Sequence, residues 1–314
     1  MDGFGIDVQV LAPREVPLGG PRSMTVRRTL PARERSFIGA WCFVDHYGPD
    51  DVSLTGGMDV APHPHCGLAT VSWLFSGEIE HRDSLGTHEM VRPGELNLMT
   101  AGRGIAHSEV STPATTTLHG AQLWVVLPEE AAEVEPRFEH YRPEAREVTP
   151  GVWVSCFLGS LAGQSSPVAT HTPLLGAEVG LAPGACMVLD VPTDFEVGVL
   201  VDLGFVEFGG QPVVDGELAV VASGRGVELR AGEDGARVLV LGGPPFPEQV
   251  VMWWNFIGRS HEEVVAARAD WNDHTPRFGY VDGYVPRPAG ADTQWWIPAP
   301  SLPGVRLKSR GNRR

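Results

Sequence analysis

Short β-rich runs closed by glycine, proline or serine recur about every eight to fifteen positions along this chain, and that rhythm points to a β-sandwich or barrel. Thr70-Val71-Ser72-Trp73-Leu74-Phe75 stops at Ser76-Gly77, and Glu78-Ile79-Glu80-His81-Arg82-Asp83 stops at Leu85-Gly86. Pro93-Gly94 opens Glu95-Leu96-Asn97-Leu98-Met99, and Leu118 to Leu127 forms a further strand. The 38 glycines and 27 prolines are spread through the chain without a collagen period, which suits many strands joined by turns.

The rhythm is interrupted once. Residues 128–147 carry seven glutamates, and Pro128, Pro136, Pro143 and Pro150 punctuate the stretch, so 135–150 is expected to be a linker. Strands then resume at Val152 to Leu158, Ala185 to Val191, Glu196 to Leu203, Val206 to Phe208, Leu218 to Val221 and Val238 to Leu241. A length of 314 residues exceeds what one core usually fills, about 250–300 residues, so two β-domains are expected, over 1–134 and 151–271. Ser260-His261-Glu262-Glu263 reads as a capping box that starts a helix ending near Trp271. The Pro-rich, aromatic segment 272–314 is expected to wrap a domain as extended chain, so that Trp295-Trp296 escapes water. The expected fold is therefore all-β: two tandem barrel or sandwich domains, one C-terminal helix and an extended tail.

A formal net charge of −15 disfavours direct binding to nucleic acid or an anionic membrane. The exception is the basic end, Arg306, Lys308, Arg310, Arg313 and Arg314, read as a solvated tail. Cys42, Cys66, Cys156 and Cys186 form no C-x-x-C pair and suggest a reducing compartment. The start, Met1-Asp2-Gly3-Phe4-Gly5, does not resemble a secretory leader, and no apolar run is long enough to span a bilayer. A cytoplasmic monomer is expected.

Seven of the eleven histidines (His46, His63, His65, His81, His88, His107 and His119) lie within residues 46–119. His63-Pro64-His65 puts two imidazoles on one face of an extended strand, and His107-Ser108-Glu109 does the same with an imidazole and a carboxylate. Two such pairs on neighbouring strands could converge on a divalent first-row metal, Fe²⁺, Mn²⁺, Ni²⁺, Cu²⁺ or Zn²⁺. Four protein ligands on a six-coordinate ion leave two positions for water, dioxygen or substrate. From residue 150 onward only His171, His261 and His274 remain, with no H-x-H, so the second half has no means of repeating the site.

The run His63-Pro64-His65-Cys66-Gly67-Leu68-Ala69-Thr70-Val71 resembles the pirin family of the cupin superfamily. So do Gly77 to Gly86, Arg92-Pro93-Gly94 and Met99-Thr100-Ala101-Gly102-Arg103-Gly104-Ile105-Ala106-His107-Ser108-Glu109. Val26 to Pro31, Phe43 to Pro49 and, more loosely, Val240 to Pro245 with Met252-Trp253-Trp254-Asn255-Phe256 are similar to it as well. The resemblance implies a bicupin with metal only in the N-terminal domain, held by His63, His65, His107 and Glu109, with Fe²⁺ the foremost candidate. It also implies a quercetinase-like dioxygenase acting on a flavonol or similar enol-bearing aromatic, with Glu109 as general base. The alternative it carries is a redox-sensitive regulator that binds a transcription factor or metabolic enzyme; a purely structural metal ranks last. Two residues depart from the family pattern. Cys66 stands where a basic residue is frequent, and Ala69 where Glu is frequent. Cys66 is out of phase with His65 and reads as core filler rather than a redox thiol.

Other residues read less sharply. His81 and Asp83 share a strand face as an outer support or a structural pair, and Arg103 suits a turn or ion pair. Phe43, Met58 and Leu98 suit core packing over pocket lining, and Asp45-His46 suits a turn.

Overall fold

A computed structural model of the chain describes residues 6–17, 24–286 and 295–312. The start Met1–Gly5 and, of the basic end, Arg313 and Arg314 lie outside the described residues.

The alternation seen in the sequence becomes inward and outward faces. Ile79–Asp83 buries Ile79, His81 and Asp83 and leaves Glu80 and Arg82 part-exposed. Three sheets carry most of the strands. A seven-stranded sheet runs in the order Arg137–Tyr141, Leu96–Thr100, Leu68–Ser76, Thr117–Val126, Trp41–Asp51, Thr25–Leu30, Arg14–Pro17. A four-stranded sheet, ordered Asp59–His65, Ile105–Ser111, Ile79–Asp83, His88–Val91, packs against it to complete the N-terminal sandwich. The nine-stranded sheet of the C-terminal half is organised around two long strands, Glu196–Phe208 and Glu228–Gly243. Register shifts at Val201/Leu203 and Gly204/Val206 bend these strands, so one sheet curls over a Val- and Leu-rich core of its own.

The two halves share the largest apolar cluster, which joins Trp41, Trp73 and Leu123 to Phe157, Leu174 and Leu241. Trp73 stacks on Phe157 at 4.5 Å, and both tryptophans spend their indole N–H across the boundary. Trp41 donates to the Leu175 carbonyl at 3.0 Å, and Trp73 donates to Glu178 at 2.7 Å.

Several expectations need correction. The stretch 135–150 is not irregular: Arg137–Tyr141 adds a strand to the N-terminal sheet beside Leu96–Thr100. Arg146–Thr149 pairs with Val152–Leu158 in the C-terminal sheet. The proline and glutamate texture concealed two short edge strands, whose exposed faces tolerate charge. At the other end of the chain, Val8–Leu11 pairs with Leu218–Val221, so these early residues extend the C-terminal sheet.

The helix His261–Asn272 starts at Ser260, whose hydroxyl accepts the Glu263 N–H at 3.2 Å. The box is shifted by one residue, because Glu263 reaches back to the Arg259 N–H rather than to that of Ser260. Trp296 packs on Trp271 at 5.4 Å as expected of a wrapping tail, whereas Trp295 stays 60% exposed. The basic end is sewn down in part: Arg306 pairs with Glu262, and Arg310 forms a backbone bridge with Val250. No helix of the described residues is long and apolar enough to cross a membrane.

Candidate metal centre

Pro62 and Pro64 remove two ladder donors from Asp59–His65, which fits its place at the edge of the four-stranded sheet. Its register against Ile105–Ser111 slips between His107, opposite His63, and Glu109, opposite Val60. The bulge holds Ala61 and Pro62 and leaves their carbonyls out of the ladder. His63 takes one of them, its Nδ1–H donating to the Ala61 carbonyl at 2.9 Å. That bond fixes the tautomer and leaves the Nε2 lone pair free.

The two i, i+2 pairs do meet. Ligand nitrogens of His63, His65 and His107 lie within 4.8 Å of one another, and His65 Nε2 stands 3.1 Å from His107 Nε2. Glu109 offers a carboxylate oxygen within 4.8 Å of nitrogens of His107 and His81. All four side chains line one cavity of about 420 Å³ between the sheets, with Gln122, Phe43 and Trp124 on the opposite wall.

A chain of supports stands behind His107. Its Nδ1 lies 3.4 Å from His81 Nδ1, and His81 Nε2 lies 3.3 Å from Asp83. The other Asp83 oxygen accepts the Leu85 and Thr87 N–H groups, which locks the carboxylate. Burial alone would push the Asp83 carboxyl up, but His81 and Thr87 outweigh it and hold it down. His81 and Asp83 are therefore an outer support of His107, one of the two readings left open by the sequence.

Burial also sets the charge state. It pushes the His63 imidazole down to about 4 and drives His65 and His107 well below the ordinary histidine range, aided by their neighbouring imidazoles. Burial raises the Glu109 carboxyl. The Ser72 hydroxyl lies 3.2 Å from Glu109 and 3.0 Å from the Gln122 amide oxygen and donates to one of them.

The remaining readings sort themselves. Phe43 does line the cavity, stacked on Trp124 at 4.1 Å, whereas Met58 and Leu98 are core. Arg103 pairs with Glu135, as a turn residue with an ion pair would. Cys66 is buried, and burial pushes its thiol up to about 12, which suits filler.

Asp45-His46 is a correction. Both residues are fully buried inside Trp41–Asp51; Asp45 takes a bidentate pair from Arg28. His46 and His119 meet Asp202 of the other half at 2.7 and 2.6 Å, and Arg237 holds the second Asp202 oxygen at 2.5 Å. His119 follows Leu118 in the sequence and gave no spacing signal. The cluster exists only because strands from both halves meet there.

Two family models match the chain: Pirin over residues 23–125, and Pirin C-terminal cupin domain over 176–279. The chain belongs to the pirin family. A Pseudomonas aeruginosa protein provisionally named quercetin 2,3-dioxygenase is 42% identical, over 93% of this pirin and 92% of that protein. A solved quercetin 2,3-dioxygenase from Acinetobacter baumannii is 34% identical, with a TM-score of 0.88, covering 98% of each chain. The solved GK1651 protein of Geobacillus kaustophilus is shorter: the match covers 99% of it but 78% of this pirin, at 26% identity and a TM-score of 0.65.

The donor set fits a divalent ion. His65 Nε2 and His107 Nε2 stand 3.1 Å apart, a spacing that serves a hydrogen bond between them when one carries the proton and a shared cation when both turn lone pairs inward. His63, held neutral with its free lone pair, and a buried carboxylate complete a set suited to first-row metals.

Proposed function

We propose that this pirin is a metal-dependent dioxygenase of the quercetin 2,3-dioxygenase type, acting on a flavonol or similar enol-bearing aromatic. His63, His65, His107 and Glu109 would hold one divalent transition metal, with Fe²⁺ the first candidate. When bound, the metal would supply a Lewis-acidic, redox-active centre at which substrate and dioxygen meet. The observation that carries the reading is the convergence of three neutral imidazoles and one buried carboxylate on a single cavity of about 420 Å³.

The chain's own groups have assignable tasks. The stacked Phe43 and Trp124 rings, with the Arg28 guanidinium 4.2 Å over Phe43, line the cavity and offer apolar contact to an aromatic ring system. Glu109 takes the proton from the substrate hydroxyl. The Ser72 hydroxyl, 3.2 Å from Glu109, is placed to orient that carboxylate.

Oxygen uptake and loss of flavonol absorbance are measured with quercetin and a flavonol panel, for wild type and Glu109→Ala loaded with each candidate metal. Turnover by wild type with at least one metal, cut by at least 100-fold in Glu109→Ala, is the expected result. Fully metal-loaded wild type that leaves every flavonol intact would sink the reading.

A further inference from the structure

One wall of the cavity comes from far along the chain. Ile297, Pro298 and Pro300 line it, close to the metal-side strand Asp59–His65. This segment lies outside both family models, the second of which ends at residue 279.

The strap is held by dedicated contacts on two sides. On the strand side, the Ile297 N–H donates at 2.8 Å to Pro62, the bulge carbonyl one residue before His63. On the helix side, Arg268, Trp271 and Asn272, spaced i, i+3, i+4 on one face, each engage it. The Trp271 indole donates to the Ile297 carbonyl at 2.8 Å, and Arg268 donates to the Pro300 carbonyl at 2.5 Å. Asn272 closes a two-bond ring with Ala299, accepting its N–H at 2.9 Å and donating to its carbonyl at 3.1 Å. Ala299 is buried beneath, and Pro298 and Pro300 have no N–H to satisfy and a fixed φ. None of these bonds involves a metal or a substrate, so the wall is formed before either arrives.

We propose that the strap 296–300 is a built-in, substrate-selecting wall of this site, which admits planar polyphenol aglycones and rejects their O-glycosides. The inference rests on the flavonol reading above. Across the cavity from the metal-side strand stands the Phe43–Trp124 stack, and a volume of about 420 Å³ lies at the small end of ligand pockets. A flat ring system suits a cavity of that size, and a sugar carried on the edge turned toward the strap would meet Ile297, Pro298 or Pro300. Arg268 and Asn272 act as positioning residues, through the strap rather than on substrate.

The test uses full-length protein carrying Arg268→Ala/Asn272→Ala, and separately Ile297→Ala/Pro298→Ala, which spares the helix if the first pair fails to fold. Two quantities are read: kcat and KM for quercetin and its 7-O-glucoside, and the rate at which a bulky chelator strips bound Co²⁺. The proposal expects the kcat/KM ratio of glucoside to aglycone to rise at least tenfold through KM. It also expects Co²⁺ stripping to accelerate at least fivefold. An unchanged ratio overturns the selectivity. Should no form oxidise any flavonol, the flavonol reading alone falls, and the stripping rate decides the wall: faster loss sustains it, an unchanged rate overturns it.

Discussion

Acid should unfold the metal-free protein through its buried histidines, and His63 allows the size of the effect to be worked out. In the folded chain its pKa is pushed down to about 4, whereas in the unfolded chain it returns to the ordinary 6.5. The unfolded state therefore binds the proton first as pH falls. Stability from this residue is fully present above pH 6.5 and declines below it, until the folded state also protonates near 4. Between pH 8 and pH 5 the loss is about 2 kcal/mol, at about 1.4 kcal/mol per decade below the unfolded pKa. His65, His107 and His46 move the same way, because burial lowers each of them. Glu109, Asp45 and Glu178 oppose them: burial raises their carboxyls, so the folded state takes those protons first on acidification. A comparison of variants isolates the one residue. Urea unfolding of wild type and His63→Gln in the presence of chelator, at pH 8 and pH 5, should show wild type losing about 2 kcal/mol more than the variant over that interval. Equal losses in the two proteins would refute the claim that His63 is held neutral by burial.

Removing the charge that joins the halves should be costly. Asp202→Asn leaves Arg237 without its partner and breaks a charged acceptor shared by His46 and His119, so urea unfolding should show a loss of about 3 kcal/mol. Asp215→Asn, whose exposed carboxylate pairs with Arg27, should cost below about 0.5 kcal/mol in the same assay. His81→Phe keeps a ring against Phe138 but removes the partner of His107 Nδ1, and metal affinity by competition with a chromophoric chelator should weaken about 10- to 100-fold.

Much of the site was legible because strand geometry is simple. Period two places His63 beside His65 and His107 beside Glu109, and the long motif around them carries the family resemblance. What the residues could not show was register. The bulge at Ala61-Pro62, which frees the carbonyl that fixes His63, follows from how Asp59–His65 pairs with Ile105–Ser111. The His46–His119–Asp202 cluster was missed for the same reason, since its members are separated by 73 and 156 positions and only the packing of the two halves unites them. The glutamate- and proline-rich 135–150 suggested a linker, yet edge strands need few apolar residues, and both of its strands sit at sheet edges. The tail was expected to cover apolar surface, but its role as a cavity wall depends on side chains of the helix and on one strand carbonyl.

Metal content tests the central claim most directly. Freshly purified protein, analysed by plasma mass spectrometry with parallel Mössbauer or X-ray absorption measurement of oxidation state, should carry close to one transition-metal ion per chain. His63→Ala and His65→Ala, each checked for folding by circular dichroism, should lose most of it. Folded wild type that takes up no divalent first-row metal, or variants that retain as much metal as wild type, would contradict the account.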